Sequence, residues 1–134
     1  MEKDFTMGKL FTKPNLKWIS NRKFNKIKDL SQRQTTEFDL PLVNAKYGNN
    51  GIMYFGRSSD FSYVDGGIDI VNDGAISTGK VYPQPHKIGV LYNAYIIVLN
   101  KTEYNTNRLV LEYLSCVIEK SIKYRFSYSD KAGW

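Results

Sequence analysis

The chain is poor in the residue types that most often build metal and redox sites, with one cysteine and one histidine among its 134 residues. A single cysteine, Cys116, cannot form an internal disulfide, and this usage is typical of a reducing compartment. A structural zinc site needs several clustered cysteines and histidines, which Cys116 and His86 alone do not supply. The sequence therefore predicts a domain without a disulfide, a metal or another cofactor. We expect Cys116 to be buried and unreactive, and His86 to lie on the surface.

Long hydrophobic runs are absent as well. The longest, Ala94–Leu99, has the length of a strand, whereas a membrane-spanning helix needs about 20 apolar residues. The N-terminal sequence MEKDFTMGKLF contains acids and lacks the apolar core of a secretory signal. We therefore expect a cytoplasmic protein that has no membrane partner.

What the chain does contain is the ordinary mixture of a globular protein, with 42% hydrophobic and 24% charged residues. That balance excludes a disordered tail or a low-complexity linker, and the length suits one compact core. We predict a single domain over residues 1–134, in which residues 1–15 are flexible because they lack sustained periodicity.

Positive charge is concentrated at the two ends of the chain. The net charge is +6: residues 1–34 carry nine bases against three acids, residues 35–118 six against eight, and residues 119–134 four against two. A basic surface attracts an acidic polymer such as nucleic acid, although a solvated lysine-rich face would give the same count. The bases expected to hold DNA phosphates are Arg22, Lys23, Lys26 and Lys28.

Short apolar runs separated by Gly and Asn turns predict six to eight strands. The clearest are Leu40–Ala45, Ile52–Phe55, Ile68–Val71, Lys80–Tyr82, Ile88–Leu91 and Ala94–Leu99. Pro83 is expected to end the strand that begins at Lys80. The predicted fold class is α+β: a small curved mixed β-sheet or partial barrel with a C-terminal helix.

The C-terminal helix is predicted to begin at about Asn107, with Thr106 or Asn105 as its N-cap. Residues 124–128 are expected to form a final extended segment. The broad apolar face of the helix is expected to be core and comprises Leu109, Leu111, Tyr113, Leu114, Val117, Ile118 and Ile122.

No arrangement of residues predicts catalysis. The sequence GAISTGKV at 74–81 approaches a phosphate-binding loop, but valine replaces the required Ser or Thr and prolines follow in place of a helix. Aspartates recur at 60, 65, 69 and 73 without a spacing that selects a metal site. Asp69, between two isoleucines, is expected to face solvent. We therefore predict a non-enzymatic chain, with a nuclease that depends on Asp65 or Asp69 as the third-ranked alternative.

The polar turns display side chains that can contact DNA. Asn can read adenine edges, Arg and Lys can read guanine, and Tyr can stack or bond to phosphate. The alternative for each Asn is that it simply forms the turn. The candidates at the first two turns are Lys46, Tyr47, Asn49, Asn50, Arg57, Ser58 and Ser59.

Residues 40–99 contain several motifs in a characteristic order: PLVNA, YGNNGI, FGR, NDGAISTGKVY and LYNAY. Together with the ending YSDKAGW, they resemble the target-recognition domain of restriction–modification specificity subunits. The likeness covers roughly residues 8–134. It extends to type I specificity subunits in general, and is closer to the specificity domains of type IIB restriction enzymes, which cut on both sides of their site.

The resemblance implies a specificity-domain-like fold that reads one half of a bipartite double-stranded DNA sequence, while other methyltransferase or restriction subunits carry out methylation and cleavage. It adds Ser77, Thr78 and Lys80 to the DNA-binding candidates. A full specificity subunit also has a second recognition domain and long spacer helices. This sequence is therefore either a domain of a longer chain or a stand-alone half. The rival interpretation is an anti-restriction module that binds a methyltransferase subunit without reading DNA.

Overall fold

The computed structural model describes residues 10–44, 49–71, 80–91 and 94–126, with the backbone alone for Asn49 and for residues 122–126. Within these ranges the fold is α+β, as predicted, and ends in one long helix. Single 3-10 turns lie at Asn49–Gly51 and Thr102–Tyr104. The strands and the helix are β1 Phe11–Thr12, β2 Leu40–Val43, β3 Ile52–Gly56, β4 Gly67–Val71, β5 Val81–Gln84, β6 Gly89–Val90, β7 Ala94–Leu99 and α1 Arg108–Phe126.

The strands form two open sheets, where the sequence had suggested one curved sheet or a partial barrel. The four-stranded sheet has the order β1-β7-β4-β5, and its neighbouring strands are antiparallel. The three-stranded sheet has the order β3-β2-β6; β2 is antiparallel to β3 and parallel to β6, so this sheet is mixed. The predicted mixed pairing therefore belongs to the smaller sheet.

The four-stranded sheet is covered on both faces. On one face, Ile70 and Ile97 pack with Leu111 and Ile118 of α1. On the other face, Ile96 packs with a group from the second sheet and its neighbouring segments. Because successive side chains of a strand point to opposite faces, Ile96 and Ile97 belong to different clusters. The result is a helix, a sheet and a second sheet in three layers.

The prediction for Asp69 is wrong because β4 lies in the middle layer of this fold. Asp69 alternates with Ile68 and Ile70 along β4, but its side chain is 0% exposed. Strand β4 lies between β7 and β5 with both faces covered. The alternating side chains of β4 therefore point to two buried faces. The prediction from the sequence assumed one buried face and one solvent-exposed face.

Residues 10–15 are not the free segment that the sequence suggested. Phe11 is buried in the cluster beneath α1, and β1 pairs with β7 through the registers Phe11–Leu99 and Thr12–Val98. The short strand escaped prediction because two residues carry no periodic signal. The rest of the predicted flexible segment, residues 1–9, lies outside the described residues.

Strand β5 also differs from its prediction, because it runs through Pro83 to Gln84. Pro83 is the Cα partner of Ile68 on β4, and among the described strands β5 is the last of its sheet. A proline has no N–H to donate, which an edge strand tolerates because its outer side needs no ladder. Pro83 therefore marks an edge and does not end the strand.

The helix begins where it was predicted, but its N-cap is Asn107. The Oδ1 atom of Asn107 accepts a hydrogen bond from the N–H of Val110 at 3.1 Å. Asn105 is used elsewhere, since its side chain accepts from the N–H of Leu99 and donates to the Leu99 carbonyl. The helix continues to Phe126, so residues 124–126 are helical and not extended; residues 127 and 128 lie outside the described ranges.

The buried face of α1 is narrower than the sequence suggested. Leu111 and Ile118 are fully buried, whereas Leu109 is 77% exposed and Tyr113 is 70% exposed. Cys116, expected to be buried, is also exposed. The predicted apolar stripe was too wide because it assigned every apolar residue of the helix to the core, whereas one face of the sheet covers only part of them.

No helix in the described part of the chain combines the length and the apolarity needed to cross a bilayer.

This orientation of α1 predicts unequal effects of truncating its apolar residues. Ile118→Ala should lower the free energy of unfolding by about 2–5 kcal/mol, because it leaves a cavity under the helix. Leu109→Ala, the control on the exposed side, should change it by less than about 0.5 kcal/mol. Urea unfolding followed by circular dichroism measures both, and equal losses would contradict the helix orientation.

Candidate nucleic-acid interface

A buried carboxylate organises the basic segment that follows Trp18. Asp29 is 1% exposed, and its Oδ2 atom accepts a hydrogen bond from the N–H of Asn25 at 2.8 Å. The Oδ1 atom of Asn25 in turn accepts from the N–H groups of Ile27 and Lys28 at 2.9 and 3.0 Å. The segment is therefore a tight loop closed by side-chain to backbone bonds. We call residues 22–29 the basic loop.

Two arginines bridge Asp29 to a second buried carboxylate, Asp60. Arg22 donates to Asp29 at 3.0 Å and to Asp60 at 2.9 Å. Arg57 donates to the same two carboxylates at 2.9 and 3.1 Å. Arg57 also donates to Glu37 at 2.7 Å. We call this set, Arg22, Asp29, Glu37, Arg57 and Asp60, the ion-pair cluster.

The cluster is charged at neutral pH. Burial raises the pKa of Asp29, but the hydrogen bonds from Asn25, Arg22 and Arg57 outweigh burial and hold the pKa below its ordinary value. The pKa of Arg22 is raised by its bond to Asp29, and that of Arg57 by its bond to Glu37. Two arginines face three carboxylates, so the cluster contributes no net positive charge to the surface.

The positive charge of the basic loop comes from its lysines. Lys23, Lys26 and Lys28 are all exposed. The ammonium of Lys26 lies 5.8 Å from the centre of the Tyr54 ring, within the range of a cation–π contact. Ile27 stands among them and is 90% exposed. The loop thus presents three ammonium groups and one apolar side chain to solvent.

Three aromatic rings pack together and hold the basic loop in place through Phe24, which belongs to the loop. The ring of Trp18 meets those of Phe24 and Phe61 edge to face, with centroid separations of 5.1 and 5.2 Å. The indole N–H of Trp18 donates to the Arg22 carbonyl at 2.9 Å. Packing and hydrogen bonding together therefore fix the path of the chain on which the lysines stand.

The turn Asn49–Gly51 is the second feature of this surface. Asn50 and Gly51 both have positive φ, at 54° and 77°. The Nδ2 atom of Asn50 donates to the Pro83 carbonyl at 2.8 Å and to Oε1 of Gln84 at 3.1 Å. Gln84 donates back to the Asn50 carbonyl at 2.7 Å. These bonds, which we call the Asn50–Gln84 clamp, use both amide hydrogens of Asn50, so a bidentate contact to adenine requires the clamp to open.

Strand β3 connects the loop and the turn. Ser31, just beyond the basic loop, pairs with Phe55 of β3, and Lys26 lies over Tyr54. The turn immediately precedes β3 at its other end. At a rise of about 3.3 Å per residue, Tyr54 and Gly51 are roughly 10 Å apart. Lys26 and the turn therefore both lie beside β3, an outer strand of the three-stranded sheet.

The remaining candidates are spread over the surface or have partners within the protein. Ser58 bonds through its N–H and its hydroxyl to Asp39, each at 3.1 Å, and Lys87 reaches the same carboxylate at 3.0 Å. Burial raises the pKa of Asp39, but the bonds from Lys87 and Ser58 outweigh it and lower the pKa. Ser59 is exposed.

Lys80 directly precedes β5, and its ammonium lies 3.6 Å from Glu119 on α1. Four predicted contact residues lie outside the described residues, so their predictions stay as they were: Lys46, Tyr47, Ser77 and Thr78.

Sequence reasoning missed the anchoring role of Asp29 and Asp60. Asp29 is the only acid between residues 5 and 34, and a lone acid within a basic segment is the signal that could have suggested an internal ion pair. Asp60 has a local partner in Arg57, three residues earlier, but its bond to Arg22 spans 38 residues and has no signal in the sequence. Across the residues with described positions, no group of three or more His, Cys, Asp or Glu side chains could hold a metal ion.

Comparison with models of known families, with curated proteins and with solved structures finds no match to this chain.

The ion-pair cluster makes stability depend on pH through Asp29. Asp29→Asn should lower the free energy of unfolding by about 3 kcal/mol at pH 7, because it removes the charge that Arg22 and Arg57 share. The pKa of Asp29 is lower in the folded than in the unfolded state. Its contribution is therefore present above about pH 4 and is lost as pH falls through the folded pKa.

Urea unfolding at several pH values tests this dependence. The difference between the wild type and Asp29→Asn should be constant from pH 7 to about 5 and should shrink below about pH 4. The control is Asp65→Asn, an exposed aspartate, which should differ little from the wild type across the range. A difference for Asp29→Asn that persists unchanged at low pH would contradict the ion-pair explanation.

Proposed function

We propose that this chain is a non-catalytic DNA-recognition module that reads one half-site of a double-stranded sequence for a restriction–modification system. The observation that supports it best is the basic loop. Its two-arginine ion-pair cluster is satisfied internally, and its three lysines stand exposed on a fixed frame. A frame of this kind suits a surface that must meet regularly spaced phosphates.

The lysines supply affinity that does not depend on sequence. Each ammonium that neutralises a phosphate releases condensed counterions, so binding weakens as salt rises. Lys23, Lys26 and Lys28 lie close together in the chain and are exposed on the same loop. Arg22, whose side chain is 53% exposed, can add a phosphate contact without leaving the ion-pair cluster. Arg57 is more enclosed, and in our proposal it holds the loop in place.

Base reading is assigned to the turn beside β3, the strand that Lys26 also contacts. The Asn50–Gln84 clamp holds the backbone of Asn49–Gly51 in a fixed conformation, which is what a base-reading turn requires. Asn49 is then our first candidate for a base contact, with Ser59 as an exposed second. In this proposal, methyltransferase and restriction subunits of the same system are the protein partners and carry out the chemistry.

Salt dependence tests the phosphate contacts. Fluorescence anisotropy with a labelled random-sequence duplex should show log affinity falling linearly with log salt. The double variant Lys23→Gln/Lys28→Gln should reduce the slope by about 2, because each phosphate contact contributes about 0.9. The matched control, Lys101→Gln/Lys120→Gln, removes the same charge from two other exposed lysines.

A control that lowers the slope as much as the loop variant would contradict a localised phosphate site. The absence of binding by the wild type at low salt would count against DNA recognition by this chain alone. In that case, tight binding to a methyltransferase subunit would favour the anti-restriction alternative.

Specificity requires a second comparison. Selection from a random duplex library should first define the preferred bases. Asn49→Ala should then reduce discrimination between preferred and random duplex by about 1–3 kcal/mol. Lys26→Ala should weaken both duplexes equally, since phosphate contacts carry no sequence information. Equal losses on both duplexes for Asn49→Ala would remove it from the base-reading residues.

A further inference from the structure

Asp69 is a buried carboxyl group that none of the features above uses. It occupies the middle of β4, and its Cα partners are Tyr82 on β5 and Ile96 on β7. Its side chain is 0% exposed, and among the described residues neither carboxyl oxygen has a hydrogen-bond partner. A buried polar group without a hydrogen bond costs free energy, and the cost is much larger when the group is ionised.

The backbone of Gly51 lies directly against this carboxyl group. A Cβ atom at Gly51 would overlap Oδ2 of Asp69 and would lie 3.1 Å from the Tyr82 ring. The φ of +77° at Gly51 independently favours glycine. The turn that we assign to base reading therefore rests on Asp69, with the Asn50–Gln84 clamp beside it.

We infer that Asp69 is a positioning residue for the turn Asn49–Gly51, and that loss of its proton releases the turn from the four-stranded sheet. The structural part of this inference stands without any role in DNA binding. Its consequence for DNA affinity rests on the function proposed above.

The surroundings of Asp69 explain why its proton matters. Burial raises the pKa of Asp69 well above its ordinary value. Of the described residues opposite it, Tyr82 is titratable and Ile96 is apolar, and no described lysine or arginine forms an ion pair with it. An ionised carboxylate would face the Gly51 backbone without a compensating charge. Opening the turn to water is the local way to relieve that cost.

The direction of the pH effect follows from the pKa of Asp69 in the closed and in the open state of the turn. A carboxyl whose pKa is higher in the closed than in the open state binds its proton more tightly when closed. The closed turn is therefore favoured at low pH, and opening becomes easier as pH rises from the open-state pKa toward the pKa of the closed state. Between these two values each pH unit should raise the opening constant about tenfold, and above the closed-state pKa the opening constant should level off.

Amide hydrogen exchange on the free protein reads this opening directly. The N–H of Asn44 donates to the Gly51 carbonyl at 3.2 Å, so its protection factor reports closure of the turn. With intrinsic exchange rates corrected for pH, the protection of Asn44 in the wild type should fall about tenfold per pH unit between the open-state and closed-state pKa of Asp69, and should level off above the latter. It should be independent of pH in Asp69→Asn, which keeps the shape of the protonated carboxyl. Asp65→Asn, at an exposed position, should behave as the wild type.

The N–H of Leu111 in α1, which donates to the Asn107 carbonyl at 3.0 Å, separates local from global effects. A parallel loss of protection at Leu111 would mean that Asp69 acts on the whole fold, and would overturn the inference. Flat protection at Asn44 in the wild type would overturn it as well. If Asp69→Asn does not fold, Gly51→Ala serves instead: the added methyl should displace the turn and leave Asn44 with low protection at every pH.

DNA binding at the same pH values provides the second readout. The wild-type affinity for the selected duplex should fall at those pH values where the open turn becomes a large fraction of the protein, so that the Asn44 protection factor approaches one, and Asp69→Asn should abolish this fall. A turn that is largely open without any change in affinity would support the inference and remove the turn from DNA recognition. Failure of the wild type to bind DNA at any pH would contradict the proposed function alone, because the exchange data would still decide the role of Asp69.

Discussion

The candidate interface depends on one buried anion. Asp29 closes the basic loop through Asn25 and holds both Arg22 and Arg57 in place. Without that carboxylate, Arg22 and Arg57 would share only Asp60 as a buried counter-charge, and the backbone of the loop would lose its bond at Asn25. The same interaction decides which bases can act outward. The arginines are largely committed to carboxylates, and the lysines carry the exposed positive charge. Net charge alone does not separate these two groups.

The second constraint is that the four-stranded sheet is buried on both faces. Strand β4 has α1 on one side and the smaller sheet on the other, so each residue of β4 must fit an interior. That arrangement brings Asp69 against Gly51 and links the middle of the sheet to a surface turn. Two buried aspartates in this fold therefore differ in their protonation state. Asp29 is paired and ionised, whereas burial of Asp69 without a described partner favours its neutral form.

Most strands and the helix could be predicted because their information is local. Runs such as Ile52–Phe55 and Ala94–Leu99 are rich in β-branched and aromatic residues and are bounded by turn residues. The errors arose where the deciding contact is distant in sequence. Periodicity shows which side chains share a face but not what covers that face, which is why Asp69 and Leu109 were misplaced. Asn105 is of a residue type that suits an N-cap, but its side chain bonds to Leu99 instead.

The candidate site was less predictable than the fold for the same reason. Lys23, Lys26 and Lys28 are exposed as expected, because lysine side chains are seldom buried without a paired charge. Arg57 looked like a free base within a turn, but its partners include Asp29, which is 28 residues away. A sequence can show that charge is present, whereas the fold decides which charges cancel. For this chain the internal pairing of the arginines leaves the lysines as the residues whose removal should change salt dependence without changing stability.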